Sequence, residues 1–187
     1  GYIAGGYVVP QGTAGDFLND GWNVSGGAIF RPNPARPFGV RLDFGFSRMD
    51  ANSNALALAS DQDIRADDGF MNMANLTAEG LWEFGSPGKV GGYVGFGIGA
   101  YRRYSALTVQ SFYDGVYCDP WWGWCYPYTG TADAITQDDK LTKFGYSASV
   151  GITFPAGHGE MYLEARYHYM ISDPATEYIP ILIGYRF

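Results

Sequence analysis

The 187-residue sequence predicts an all-β fold, an eight-stranded antiparallel up-and-down transmembrane β-barrel forming a single domain over 1–187. Three observations predict it. Segments with a two-residue period are bounded by clusters of Gly, Pro, Asn and Asp, the mark of strands between turns. Their connections sort into tight turns at one end and long loops at the other. Each of the clearest strands also splits into a bulky apolar parity and a small or polar one.

Composition agrees with this. The chain holds 27 Gly, 15 Tyr and 12 Phe and is only 17% charged, as expected of many half-apolar strands. No run of about 18 apolar residues occurs, which excludes a membrane-crossing helix. With no charged-then-apolar leader at Gly1, an exported chain is expected to have shed its signal peptide already.

The first strand is expected at 2–9 and the second at 22–31, with Phe30 near its end before the turn PNPARP. The third, 38–48, sets Phe38, Val40, Leu42, Phe44 and Phe46 against Gly39, Arg41, Asp43, Gly45 and Ser47. The fourth, 71–84, carries Glu79 and Glu83 on its polar parity and ends on Trp82 and Phe84 before SPGK. In the fifth, 90–107, Val94, Phe96, Ile98 and Ala100 oppose Tyr93, Gly95, Gly97, Gly99 and Tyr101. The sixth, 141–154, opposes Phe144, Tyr146, Ala148, Val150, Ile152 and Phe154 to Gly145, Ser147, Ser149, Gly151 and Thr153, then turns at PAGHG. The seventh, 160–171, opposes Met161, Leu163, Ala165, Tyr167, Tyr169 and Ile171 to Tyr162, Glu164, Arg166 and His168. The eighth is 178–187, YIPILIGYRF, with Ile179, Ile181, Ile183, Tyr185 and Phe187 on one face. The connections 32–37, 85–89 and 155–159 are tight; 10–21, 49–70 and 108–140 are long, and 172–177 is a short one at their end. Pro and Gly supply the turn geometry.

An eight-stranded barrel is just wide enough inside for side chains. A Phe, Ile and Leu row from every strand would overfill it, so the apolar parity faces outward and the Gly, Ser and Thr parity faces the lumen. Arg41, Asp43, Glu79, Glu83, Glu164, Arg166 and Arg186 share the lumen parity, with signs that can neutralise one another.

These strands resemble the eight-stranded outer-membrane β-barrels of Gram-negative bacteria, the OmpA transmembrane-domain and opacity-porin-like proteins. FGVRLDFGFSRMD, GKVGGYVGFGIGAYR and MYLEARYHYM are similar to their third, fifth and seventh strands, and the likeness covers essentially the whole chain. YIPILIGYRF, with Tyr185 and Phe187, resembles the carboxy-terminal signal read by the barrel-assembly machinery. The resemblance implies an exported surface protein in the bacterial outer membrane, among lipid and lipopolysaccharide, with short turns in the periplasm and long loops outside. It places Phe30, Phe38, Trp82, Phe84, Phe154, Tyr185 and Phe187 in an aromatic belt at the periplasmic interface.

In the longest loop, YCDPWWGWCYPY holds Trp121, Trp122 and Trp124 between Cys118 and Cys125, with Tyr126 and Tyr128 beside them. Two close cysteines in a sequence without others predict one disulfide. The rings are either a binding tip for carbohydrate, protein or another copy of the chain, or a small core that folds the loop on itself. Acidic residues crowd the long loops, which disfavours nucleic acid. Among them Asp61, Asp63, Asp67 and Asp68 are calcium candidates, although DQDIRADD lacks EF-hand spacing and a solvated acidic loop is the favoured reading. No cofactor is expected. Enzymes exist on this scaffold, yet a nucleophile needs a base within reach. The sequence offers only His158 in a turn and His168 on the lumen face, with Ser172 four residues on. The expectation is a non-enzymatic surface barrel with its lumen plugged by side chains. A self-assembling array or filament subunit and a lipid-modifying enzyme are the alternatives.

Overall fold

The computed structural model describes residues 1–187 except 34–35, 60–64, 86–88 and 119–124. Eight strands form one closed antiparallel barrel in chain order. They are β1 (Tyr2–Gln11), β2 (Leu18–Phe30), β3 (Phe38–Ala51), β4 (Arg65–Phe84), β5 (Gly91–Cys118), β6 (Cys125–Ala156), β7 (Gly159–Met170) and β8 (Thr176–Arg186), with two short helices, α1 (Gly12–Phe17) and α2 (Ser53–Ala59). The terminal strand pairs with the first, from Tyr2 opposite Arg186 to Gln11 opposite Glu177, so the sheet has no free edge there. Closure satisfies every ladder of the spanning region internally, which hydrocarbon demands of a sheet.

The two faces sort as the parity requires. Phe144 is 77% exposed, Ile98 69% and Phe96 64%, while Arg41, Asp43, Glu79, Glu164 and Arg166 on the other parity are each 1% exposed. Ile181 and Ile183 of the last strand face outward as well, and Phe187 just after it is exposed. At the turn end, Phe30, Phe38, Trp82, Phe84 and Phe154 form an exposed aromatic row.

The ends of the strands depart from expectation. The connection read as a loop over 108–140 is a hairpin for most of its length, because β5 runs on to Cys118 and β6 begins at Cys125. A bulge between Leu107 and Thr108 shifts the register, after which pairing continues to Cys118 opposite Cys125. The β-branched and aromatic residues of TVQSFY and YPYTGT favour a ladder; only the loss of clean alternation made them read as a loop. Likewise β2 starts at Leu18 and β4 at Arg65, each with a bulge at its outer end. The connections 10–21 and 49–70 contain α1 and α2. Asn52 holds them together: its Oδ1 accepts from the amides of Asn54 at 2.9 Å and Ala55 at 3.1 Å, capping α2. Its Nδ2 donates to the carbonyl of Asp16 in α1 at 2.9 Å.

Candidate functional site

The centre of the lumen is built by strands on opposite walls. Period-two geometry turns Arg41 and Asp43 of β3 inward, and Glu164 and Arg166 of β7 inward from across the barrel. The Arg41 Nη1 lies 2.5 Å from a Glu164 oxygen, and the Arg166 Nη1 lies 2.6 Å from Asp43. Glu79 of β4 joins them, accepting from the Arg41 Nε at 3.0 Å and from the Ser147 hydroxyl at 2.5 Å. Arg41 also donates to Ser149 at 3.0 Å, and Arg166 also pairs with Glu164 at 2.5 Å. Two guanidiniums thus meet three carboxylates. The carboxylates receive further donors: the Tyr93 hydroxyl to Glu164 at 2.6 Å and the Tyr2 hydroxyl to Asp43. Burying such charges is tolerable only with partners of this number and geometry.

Of the seven lumen charges expected to interact, the structure brings these five together. Glu83 and Arg186 stand apart at the turn end, 2.8 Å from each other, where Arg31 also reaches Glu83 at 2.7 Å. A ring layer of Tyr2, Tyr93 and Tyr162 with Leu81 separates the two clusters. The Arg186 guanidinium sits 4.3 Å from the centre of the Tyr93 ring. Toward the loop end, His168 meets the Tyr101 hydroxyl at 2.9 Å and stacks on Tyr178 with centroids 4.8 Å apart. Above it lies an apolar layer containing Val8, Met49, Met73 and Met170. Ser172 donates to the carbonyl of Pro174 at 2.8 Å rather than to a base. Parity alone put Tyr93, Tyr101, Ser147 and Ser149 on the lumen side, but the hydrogen bonds of Tyr93, Ser147 and Ser149 with the ion pairs, and of Tyr101 with His168, were not read from the sequence.

The distal candidates fare differently. Cys118 stands opposite Cys125 in the β5–β6 register, the separation at which cross-strand cysteines can bond. Trp121, Trp122 and Trp124 lie outside the described residues, as do the side chains of Tyr126 and Tyr128. Of the calcium candidates, Asp61, Asp63 and the side chain of Asp67 lie outside them too. Asp68 is exposed and accepts the Gly69 amide at 2.7 Å. Among the described residues no three His, Cys, Asp or Glu groups converge to hold a metal ion. Tyr185 donates to the Ala156 carbonyl at 3.2 Å, and Phe187 closes the barrel through its amide to the Gly1 carbonyl at 3.0 Å.

The fold is that of the eight-stranded outer-membrane β-barrels. Among solved structures it is similar to the Neisserial surface protein A, with a TM-score of 0.57 at 11% identity, covering 98% of this chain and 94% of that one. It is also similar to Ail, the attachment invasion locus protein of Yersinia pestis, solved in complex with the heparin analogue sucrose octasulfate. There the TM-score is 0.50 at 17% identity, covering 100% of this chain and 97% of Ail. No family model matches the chain, and no curated protein does.

Proposed function

We propose that the protein is a non-enzymatic surface barrel of the bacterial outer membrane, its lumen closed by side chains and its long connections displayed outside the cell. The observation that carries this reading is the polarity of the barrel. Its interior is ionic and hydrogen-bonded, and its outer wall exposes Phe44, Leu76, Phe96, Ile98, Phe144 and Ile183 at mid-strand. Water-soluble proteins keep exposed apolar patches to a few hundred Å²; a continuous belt suits acyl chains. Lipid and lipopolysaccharide are then its lateral partners, Tyr185 and Phe187 its signal to the barrel-assembly machinery, and the periplasm its route of export. A Cys118–Cys125 disulfide pins the Trp-rich tip; the facing register and the bonded state of Cys125 support it. A sulfated polysaccharide like the analogue seen with Ail suits this chain poorly, because Asp16, Asp20, Asp50 and Asp139 make its loop end acidic. His168 is engaged by Tyr101 and Tyr178, which supports a structural role for the only lumen histidine.

Fractionation with detergent extraction tests the location, and heat-modifiable migration on gels tests the folded barrel. Planar-bilayer recording tests the closed lumen, since wide aqueous pores belong to barrels of about 16 strands. The expected result is detergent-dependent extraction, a heat-induced mobility shift and no steady conductance. Recovery of the folded protein from the aqueous fraction without detergent would sink the membrane reading, and a steady open channel would sink the closed lumen.

A further inference from the structure

A second feature lies above the ion network. A cavity of about 210 Å³ opens at the loop end, between α1, α2, the outer ends of β4 and β5 and the β7–β8 connection. Its wall is mainly apolar, with Ala14, Phe17, Leu18, Ala55, Phe70 and Met71. Leu18 and Met71 pack in turn on the layer of Met49, Met73 and Met170. Methionine is unbranched and polarizable, and such surfaces adapt to varied apolar shapes. The contacts of Asn52 hold α1 and α2 together as one edge of the cavity.

Arg103 of β5 is the only charged residue in its described lining. Its Nη1 donates to the Thr176 hydroxyl at 3.1 Å and its Nη2 to Asp139 at 2.9 Å. Its Nε–H is buried and meets no acceptor among the described residues. A buried donor left unpaired is costly, and more so on a charged group. The planar fork of arginine is matched by a carboxylate, which takes Nε and an Nη together. Size narrows the ligand further. An apolar cavity of about 150 Å³ holds benzene, so 210 Å³ holds, in proportion, a chain of about eight carbons. Asp16 in α1 and Asp139 on Arg103 oppose a polyanion.

We propose that this cavity is a binding site for a small amphipathic carboxylate, its chain in the apolar chamber and its carboxylate on Arg103. The fit combines an apolar chamber, one cation and one uncommitted donor, and no element of it belongs to the central ion pairs.

The test uses the full chain in lipid nanodiscs at neutral pH, titrated with octanoate and followed by saturation-transfer NMR; empty nanodiscs report simple partitioning. Octan-1-ol supplies the same chain without the charge. Saturable octanoate binding absent from empty discs is expected, with octan-1-ol weaker by about tenfold, the worth of one charge-assisted hydrogen bond. Arg103→Gln should bring octanoate down to the octan-1-ol level, Arg103→Lys should fall between, and Ala55→Phe, which fills the chamber, should abolish both. Heat-modifiable migration of each variant reads barrel formation separately, so a misfolded variant is recognised as such and Arg103→Lys then carries the charge test. Octanoate uptake no greater than in empty discs, equal binding by the Ala55→Phe protein, or equal affinity for octanoate and octan-1-ol would each overturn the proposal.

Discussion

Replacing Arg41 by Met is the sharpest test of the lumen. The wild-type guanidinium is 1% exposed and serves two carboxylates and a hydroxyl at once: Glu79 through Nε at 3.0 Å, Glu164 through Nη1 at 2.5 Å, and Ser149 at 3.0 Å. After its removal three carboxylates share Arg166. That residue already lies 2.5 Å from Glu164 and 2.6 Å from Asp43, but 4.0 Å from Glu79. Glu79 is therefore left with two hydroxyl donors, Ser147 at 2.5 Å and Ser149 at 3.4 Å, and a distant cation. Breaking a buried ion pair by deleting one partner costs about 3–5 kcal/mol, because the remaining charge is stranded. Removing the stranded group as well, in Arg41→Met/Glu79→Met, should recover most of that loss, since an ion pair replaced by packed apolar side chains is often neutral. The two single variants and the double form a cycle whose coupling should reach several kcal/mol. Arg41→Lys should fall between, keeping the charge without the fork. Urea unfolding in phospholipid vesicles, followed by tryptophan fluorescence and by gel mobility, measures all four. A loss below about 1 kcal/mol for Arg41→Met, the value of a solvated pair, would refute a lumen closed by buried, paired side chains.

Three further outcomes are expected. Leu76 is 60% exposed in mid-β4, between Phe44 and Ala100; Leu76→Arg should cost about 2–4 kcal/mol in vesicles if it faces acyl chains, whereas a barrel in water would register about 0.5 kcal/mol or less in the same unfolding titration. Gly157 in the β6–β7 turn has φ of 62° and open space around an added Cβ, so Gly157→Ala should lose about 1–2 kcal/mol through backbone conformation alone, measured by the same titration. Cys118→Ser with Cys125→Ser should leave the heat-modifiable barrel intact while making the distal hairpin the first site of proteolysis, checked by limited digestion and mass spectrometry.

The barrel was legible because parity is a local property. Val94, Phe96 and Ile98 against Gly95, Gly97 and Gly99 declare two faces within six residues, and the narrow interior decides which face goes inside. The central site was legible only as a set of side chains. Which charge on β3 lies level with which on β7 depends on strand tilt and stagger around four intervening ladders, and no single strand encodes that. Arg41 with Glu164 and Arg166 with Asp43 are therefore structural results, and so is the separation of Glu83 and Arg186 from them. The outer ends were least legible for a different reason. Beyond the membrane both faces of a ladder are solvated, so alternation fades while pairing persists, and β5 and β6 outrun their apolar pattern. α1, with the sequence GTAGDF, has too few residues for a helical period to register.

The glycines follow from the same confinement. Gly151 lies directly opposite Tyr93 in the β5–β6 register, and a Cβ there would stand 2.4 Å from the Tyr93 Cζ. Gly184 lies opposite Tyr162 in the β7–β8 register, with the same 2.4 Å conflict. Each tyrosine thus lies against the wall over a neighbour that has no side chain. A ring standing upright would fill a lumen of this width by itself; laid against the wall, it covers backbone and leaves the axis to others. For Tyr93 it also carries the hydroxyl to Glu164, where it donates at 2.6 Å to one of the three carboxylates that two arginines cannot fully neutralise. Glycine on one strand therefore makes possible a hydrogen bond that terminates on a third. That is why the polar parity combines the smallest residue with one of the largest, and why mixed ionic and aromatic layers can fill a barrel whose outer face is left to lipid.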